Sequence, residues 1–216
     1  LAIARDHEFN IRTVQYSELE IENYAENRSK RCYCCKHELF GRLRQIAQEL
    51  GIDTLIDGTN ADDVDDWRPG MQAAQELRVV SLLREVDLHK SEIRELCRAL
   101  RLPNWDKPSA PCLSSRIAYG IQIDKQKLDQ VAEGERFLRQ NGFRVVRVRH
   151  HGEIARIEFA PEEIARLAEP ELRERVTARL RELGFHYVVL DLTGYRTGSL
   201  NESFTRPAAP APSKAS

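Results

Sequence analysis

Apolar residues recur at two different spacings along the chain, and these spacings predict which segments form helices and which form strands. Helical spacing runs from Leu39 to Leu50, from Ile93 to Leu100 and from Leu128 to Leu138. A later segment rich in Glu, Arg and Leu is also predicted to be helical, up to Leu183. Short β-branched and aliphatic runs predict strands instead. The predicted strands span residues 11–15, 54–56, 79–83, 144–149, 154–159 and 187–192.

The order of these elements predicts two regions of different architecture. Strands and helices alternate up to about Trp105, which favours an α/β fold with a mostly parallel, doubly wound sheet. Beyond Tyr119 the order is helix, strand, strand, helix, strand, which is typical of a smaller α+β domain. Residues 150–153 separate two of these strands and predict a hairpin turn that exposes His150 and His151. We therefore expect domains at 1–118 and 119–202, followed by a disordered, Pro- and Ala-rich tail at 203–216.

Composition excludes several classes of protein. The 216 residues carry a formal net charge of -1, which argues against a nucleic-acid binder. No apolar run reaches the roughly 18 residues that a membrane span needs, and no signal peptide is visible. Three of the five cysteines are crowded at residues 32, 34 and 35, which suits metal or redox chemistry in a reducing compartment. We expect a cytoplasmic protein.

The fourth informative cysteine, Cys112, lies in a loop rich in proline and serine. Pro108 and Pro111 exclude helix there, so the residue does not belong to an apolar helix stripe. Hydroxyl and guanidinium donors follow at once in Ser115 and Arg116. Such surroundings favour the thiolate, the form that attacks carbon or binds metal. From the loop alone, a buried structural cysteine is an equally good interpretation.

Cys32 and Cys35 form a Cys-x-x-Cys motif. This spacing serves zinc sites, redox pairs and iron–sulfur clusters alike, and the second Cys-x-x-Cys of a zinc ribbon is absent. Together with Cys112 the motif supplies three candidate thiolates. Three protein ligands on a four-iron cluster would leave one iron open for a ligand that is not protein.

Two further segments carry candidate binding residues. Residues 57–63, Asp-Gly-Thr-Asn-Ala-Asp-Asp, follow a predicted strand and suit Mg²⁺ or a nucleotide, although a solvated turn has the same composition. Arg147 and Arg149 alternate along a predicted strand, so their side chains share one face. Two guanidiniums on one face can hold a phosphate or a carboxylate, and Glu158 on the next strand could pair with them. From the strand alone, a solvated pair on an exposed edge is a slightly better interpretation.

These motifs occur in an order that resembles a known family. The segments that carry the resemblance are residues 31–36, 57–63, 68–70, 105–116, 119–120, 147–152 and 190–194. Together they resemble the LarE-type ATP-dependent sulfur transferases, which belong to the PP-loop ATP-pyrophosphatase superfamily and have an adenine nucleotide α-hydrolase-like fold. In that family ATP adenylates a carboxylate of a pyridinium dicarboxylate mononucleotide, and sulfur transfer then gives a thiocarboxylate. The product leads to a nickel-pincer nucleotide cofactor.

The resemblance assigns roles to the candidate residues. It implies that Cys112 handles the sulfur, that Thr59 and Asn60 lie beside the nucleotide, and that ATP and Mg²⁺ are used. It implies that the substrate phosphate or carboxylate is held by Ser115, Arg147 and Arg149, with Glu158 as an acidic partner. Some members sacrifice a single cysteine, which becomes dehydroalanine, whereas others also carry a Cys-x-x-Cys and are thought to hold a [4Fe-4S] cluster. Cys32 and Cys35, with Cys112, favour the second type, and we expect a homo-oligomer.

The chain departs from the superfamily at one motif. The phosphate-gripping Ser-Gly-Gly-x-Asp-Ser loop is absent from the 216 residues, and no methionine precedes Leu1. We therefore expect a chain that is truncated at its N-terminus and inactive toward ATP on its own. Two other functions fit parts of the sequence: a PP-loop enzyme that thiolates tRNA, and a non-enzymatic binding module stabilised by zinc.

Overall fold

The computed structural model describes residues 2–63, 69–107 and 111–196, and it divides the chain into two compact units. The N-terminal unit comprises Leu1–Pro111 and Tyr119–Lys125, and the C-terminal unit comprises Cys112–Ala118 and Gln126–Ser216. Each unit therefore takes residues from two separate stretches of the chain. The predicted tail at 203–216 lies outside the described residues.

The N-terminal unit is built mainly of helices. They are α1 (Ala2–Asp6), α2 (Arg31–Glu49), α3 (Pro69–Glu76), α4 (Leu82–Glu85) and α5 (Lys90–Ala99). One parallel β-bridge joins Ile56 to Val80. This bridge is the part of the predicted parallel sheet that the described residues of the unit contain. The helix predicted up to Gly51 is confirmed and ends at Glu49, but it begins eight residues before Leu39.

The predictions of strands at residues 11–15 and 79–83 in this unit are wrong. Residues 11–15 form no strand, and Ile11 is largely exposed, so the β-branched run has no sheet to complete. Of residues 79–83, only Val80 pairs, and the chain turns into α4 at Leu82. Ser81 lies between the bridge and the helix.

The C-terminal unit contains a three-stranded sheet with two helices on one of its faces. Its elements are α6 (Lys125–Gln140), β1 (Val146–His151), β2 (Ile154–Phe159), a 3-10 helix (Pro161–Ala168), α7 (Pro170–Glu182) and β3 (Tyr187–Leu190). The strand order is β1-β2-β3; β1 and β2 are antiparallel, whereas β2 and β3 are parallel. The described sheet is thus mixed, and the chain as described is an α/β protein.

Alternation along β1 and β2 separates an apolar face from a charged one. Val148 faces Ile157 in the register, and both are buried in a core with residues of α6 and α7 such as Leu138 and Leu180. The opposite face carries the charged partners, which we call the arginine face: Arg147, Arg149, His151, Arg156 and Glu158. The predicted shared face of the two strand arginines is confirmed.

The prediction for the hairpin turn was wrong by two residues. His150 and His151 both lie in β1, and the turn consists of Gly152 and Glu153. His150 is buried on the apolar side, where its ring meets the Phe185 ring edge-on at 5.1 Å. A histidine pair is uncommon in a strand, so polarity alone suggested a turn. No helix of the described residues is both long enough and apolar enough to cross a membrane.

Substitution of Gly194 by alanine is expected to destabilise the C-terminal unit more than the same change at Gly152. Both glycines have positive φ, +73° and +68°, which costs an alanine about 1–2 kcal/mol. A Cβ at Gly194 would also lie 2.8 Å from the Phe159 carbonyl oxygen, whereas a Cβ at Gly152 meets nothing within 4 Å. Urea unfolding followed by far-UV circular dichroism measures the difference. Equal losses in the two variants would contradict this packing argument.

Candidate functional site

Cys112 is exposed, and its main chain is held by the residues that follow it. The residue adopts an extended conformation, and a 3-10 turn follows at Leu113–Arg116. The Cys112 carbonyl oxygen accepts hydrogen bonds from the Ser115 hydroxyl (2.7 Å), the Ser115 N–H (3.0 Å) and Arg116 Nη1 (3.0 Å). The thiol is thus presented from a fixed backbone. Beyond the turn, Ala118 N–H donates to the His150 carbonyl at 3.1 Å, which joins this segment to the free edge of β1.

A buried ion pair anchors this segment to α6. Arg116 Nε donates to Glu135 Oε1 at 2.8 Å, and the two side chains are only 2% and 1% exposed. The same Glu135 oxygen accepts from the Val148 N–H of β1 at 3.3 Å. Arg116 Nη1 also donates to the Ser115 hydroxyl oxygen at 3.0 Å. One guanidinium therefore connects the carbonyl of Cys112, the hydroxyl of Ser115 and a carboxylate in the interior.

The structure brings Ser115, Arg149 and Glu158 together. Arg149 donates to both Glu158 oxygens, from Nε at 3.0 Å and from Nη2 at 2.9 Å, and its Nη1 donates to the Ser115 carbonyl at 2.9 Å. Glu158 is fully buried and also accepts from Arg156 Nη2 at 3.0 Å. Bidentate pairing of this kind fixes the orientation of a guanidinium.

Arg147 lies beside this pair on the arginine face. It is 5% exposed, its Nη1 donates to the Val146 carbonyl at 2.7 Å, and its guanidinium stacks on the Tyr195 ring at 4.8 Å. Burial lowers the pKa of Arg147, and the nearby charge of Arg116 lowers it further. Both causes show that the cation is held where positive charge is disfavoured, and such a site favours an anion as its ligand.

Cys32 and Cys35 lie in the first turns of α2, not in a loop before the helix. They are three residues apart in a helix, so they occupy the same side of it, and both are partly buried. This placement suits a pair of thiolate ligands. Among the residues that the structure describes, however, no group of three His, Cys, Asp or Glu side chains is gathered closely enough to hold a metal ion. The cluster formed by Cys32, Cys35 and Cys112 stays a prediction.

Thr59 and Asn60 lie in the loop that follows Ile56, beyond the β-bridge. Asp57 accepts hydrogen bonds from the Thr59 hydroxyl (2.7 Å) and the Ser81 hydroxyl (2.8 Å). Burial by itself would raise the pKa of Asp57, but these hydrogen bonds outweigh it and hold the pKa below its usual value. Asp57 is thus ionised at neutral pH and fixes the turn that presents Asn60.

The Asn60 loop borders a cleft of about 400 Å³ in the N-terminal unit. Asp62 of the loop accepts a hydrogen bond from the Lys90 N–H at 2.6 Å, which ties the loop to the start of α5. The cleft is lined by Gly58, Asn60, Leu83, Lys90, Ile93, Arg94, Cys97, Asn104, Trp105 and Lys107. Its charged side chains are all cationic, and Cys97, which the apolar pattern assigned to the core, is one of its partly buried walls.

Sequence reasoning missed two residues of the site around Cys112 and the partner of a third. Glu135 and Arg156 look like ordinary charged positions of a helix and a strand. Arg116 was predicted as a donor beside Cys112 but not as the partner of a buried carboxylate. Only the contact of a loop with a helix 19 residues further on reveals the buried pair. For Arg156, the signal was the strand alternation that also carries Glu158, which places both side chains on one face.

Comparison with known proteins identifies the family. No family model matches the chain. The chain is 44% identical over 193 residues to an uncharacterized protein of Synechocystis. The matched region covers 89% of this chain and 72% of that protein. It is 27% identical over 194 residues to an uncharacterized protein of Methanocaldococcus jannaschii, covering 90% of this chain and 73% of that protein.

A third relative has a named activity. The pyridinium-3,5-bisthiocarboxylic acid mononucleotide synthase of Lactiplantibacillus plantarum is 35% identical over 206 residues, covering 95% of this chain and 74% of the synthase. This likeness extends over both units, and it agrees with the family that the motifs resemble. The chain therefore belongs to the LarE-type family of the pyridinium-3,5-bisthiocarboxylic acid mononucleotide synthase.

Proposed function

We propose that the protein is an ATP-dependent sulfur transferase that converts a carboxylate of a pyridinium dicarboxylate mononucleotide into a thiocarboxylate, a step toward a nickel-pincer nucleotide cofactor. The observation that carries this proposal is the connection of Cys112 to the arginine face. Ser115 and Arg116 hold the Cys112 carbonyl, and Arg149 holds the Ser115 carbonyl. Hydrogen bonds of the same short segment therefore position both the Cys112 thiol and the arginines that we propose bind an anion.

The arginine face suits the phosphate or a carboxylate of such a substrate. Its charged residues are three arginines and one glutamate, so the face carries more positive than negative side chains. Glu158 orients Arg149, and Tyr195 covers Arg147, which leaves planar donors prearranged for an oxyanion. Ser115 joins this face through its carbonyl oxygen, which accepts from Arg149 Nη1 at 2.9 Å. We assign substrate binding to Ser115, Arg147, Arg149 and Glu158.

The cleft beside Asn60 suits the nucleotide. Lys90, Arg94 and Lys107 line it with positive charge, and Trp105 adds an aromatic wall. Phosphates carry the complementary charge, and a purine ring can stack on an indole. We assign Thr59 and Asn60 to nucleotide binding here, with Mg²⁺ bound through oxygen ligands and the ATP phosphates.

The proposed reaction uses the ATP bound beside Asn60 and the thiol of Cys112. A substrate carboxylate oxygen attacks the α-phosphorus of ATP, the bond to the β-phosphate oxygen breaks, and pyrophosphate leaves. The acyl-adenylate carbon is then attacked by a sulfur nucleophile at Cys112, and AMP leaves with the electron pair of the acyl–oxygen bond. Adenylation is needed because a carboxylate oxygen by itself is a poor leaving group.

The source of the sulfur is the finer part of the proposal. In one form the Cys112 thiolate attacks, and its Cβ–Sγ bond breaks with loss of the Cα proton, leaving dehydroalanine and a thiocarboxylate. In the other, Cys32, Cys35 and Cys112 hold a [4Fe-4S] cluster, whose fourth iron would carry a transferable sulfide. The shared helix side of Cys32 and Cys35 supports the second form.

The experiment supplies the acyl-adenylate of pyridinium-3,5-dicarboxylate mononucleotide directly to the purified chain. The result then does not depend on the superfamily's phosphate loop, whose motif is absent from the 216 residues. We expect AMP release and a thiocarboxylate product, both detected by mass spectrometry, and equal amounts of the two. Hydrolysis without sulfur in the product would refute the proposal. Thiolation of tRNA in a parallel assay, with the mononucleotide unchanged, would replace it with a different substrate.

A further inference from the structure

His151 and Arg156 lie next to the assigned phosphate-binding residues on the arginine face. Arg156 is directly opposite Arg149 in the register of β1 and β2, and His151 follows Arg149 by two residues on the same face. Two residues of a strand span about 7 Å. His151 therefore lies one step further along β1 from Arg149, toward the hairpin, whereas Arg156 lies beside Arg149 on β2.

Each of these side chains buries a polar nitrogen that the described residues leave without a hydrogen bond. The two atoms are His151 Nε2 and Arg156 Nε. The rest of the Arg156 guanidinium is engaged, since Nη2 donates to Glu158 at 3.0 Å and Nη1 lies 3.8 Å from Asp191 Oδ2. A buried polar atom without a partner costs about 1–3 kcal/mol, so two neighbouring ones suggest that a ligand supplies the missing bonds.

The hydrogen-bonding character of the two nitrogens restricts which chemical group of a ligand can bind to them. Burial lowers the pKa of His151, and the charges of Arg156 and Arg149 lower it further, against the opposing effect of Glu158. The imidazole is therefore neutral at neutral pH and can accept a hydrogen bond, whereas Arg156 Nε can only donate one. A hydroxyl group is the complement of this pair, because it donates and accepts at the same time.

Each side chain is partly exposed, although its unpartnered nitrogen is buried. The Arg156 side chain is 30% exposed, and His151 is partly buried. On the side away from Arg149 and Glu158, their neighbours on the same face are apolar: Ile154 opposite His151, and Val189 beside Arg156 on β3. A few polar groups next to apolar side chains are the usual construction of a small-molecule subsite.

We propose that His151 and Arg156 bind the ribose hydroxyls of the mononucleotide whose phosphate is held by Arg147, Arg149 and Ser115. This inference rests on the proposed function. In a ribose 5-phosphate the sugar hydroxyls lie a few bonds from the phosphate. On the arginine face, Arg156 is beside Arg149 and His151 is two residues further along β1. The subsite selects a ribonucleotide over its deoxy analogues.

The test is calorimetric binding of nicotinate mononucleotide and of its 2′-deoxy and 3′-deoxy analogues to the purified chain. Loss of one neutral hydrogen bond corresponds to a weakening of about twofold to tenfold. We expect at least one deoxy analogue to bind more weakly to the wild type by this factor. His151→Phe keeps an aromatic ring of similar size but removes the nitrogens, and it should discriminate less between the three ligands than the wild type does. His151→Gln restores a donor and an acceptor, and it should recover part of the discrimination.

The outcomes separate this inference from the proposed function. The ribose subsite alone is overturned if the wild type binds the mononucleotide and its deoxy analogues equally. It is also overturned if His151→Phe shows the same difference in affinity between them as the wild type. Wild-type affinity that is the same for nicotinate riboside, which lacks the phosphate, overturns the phosphate site and the function with it. Urea unfolding serves as the structural control, because His151→Phe should leave stability unchanged or raised, whereas a purely structural histidine would lower it.

Discussion

Replacing Cys112 by alanine is expected to abolish thiocarboxylate formation in the acyl-adenylate assay, with a loss of at least about 10³-fold, since no other group takes over an activated nucleophile. Binding of the mononucleotide should change by less than about threefold, because the main-chain carbonyl that Ser115 and Arg116 hold is retained. The matched control is Cys34→Ala, which removes a partly buried thiol from α2 that neither proposed site uses. Thiocarboxylate formation at the wild-type rate by Cys112→Ala would remove the central residue of the proposal.

The same assay distinguishes the two sulfur sources. If Cys112 gives up its own sulfur, Cys32→Ala and Cys35→Ala should still complete one turnover, after which the protein mass shows dehydroalanine. If a cluster supplies sulfide, either variant should lose the product together with the protein's iron. Anaerobically purified wild type should then show the visible absorption of an iron–sulfur cluster. Colourless, iron-free protein with full activity would exclude the cluster.

Glu135→Gln is expected to lower the free energy of unfolding by about 3 kcal/mol, since it removes the buried carboxylate charge that pairs with Arg116. Both side chains of this pair are at most 2% exposed, and Glu135 also accepts from the Val148 N–H. The matched control lies on the same helix: Glu133 pairs with Arg136, whose side chains are 38% and 59% exposed. Glu133→Gln should cost less than about 1 kcal/mol.

The Glu135 prediction extends to reactivity. Because Arg116 connects Glu135 to the Cys112 carbonyl, Glu135→Gln should also change the alkylation rate of Cys112 by iodoacetamide under native conditions. The alkylation rate at Cys97, measured by peptide mass spectrometry in the same sample, corrects for a general increase in the accessibility of cysteines. Glu133→Gln should leave the Cys112 rate unchanged. Equal unfolding free energies for the two variants would show that the buried pair contributes no more than a surface pair.

The parts of the molecule that could be predicted from sequence are those that depend on neighbours along the chain. Strand alternation placed Arg147 and Arg149 on one face, and the register confirms it. The parts that could not be predicted depend on distant partners. The segment at 11–15 has suitable residues but pairs with no strand among the described residues, and the buried Glu135 pairs with Arg116 of a distant loop. Likewise, α2 begins at Arg31, eight residues before the first residue of its apolar pattern.

The path of the chain between the two units limits how this enzyme can be rebuilt by recombination. Residues 112–118 belong to the C-terminal unit, although the stretches on both sides of them, up to 111 and from 119 to 125, belong to the N-terminal one. A chimera made with a single crossover after residue 125 would inherit its thiol from one parent and its arginines from the other. Exchange of substrate preference between relatives therefore requires that residues 112–118 are exchanged together with all residues from 126 onward.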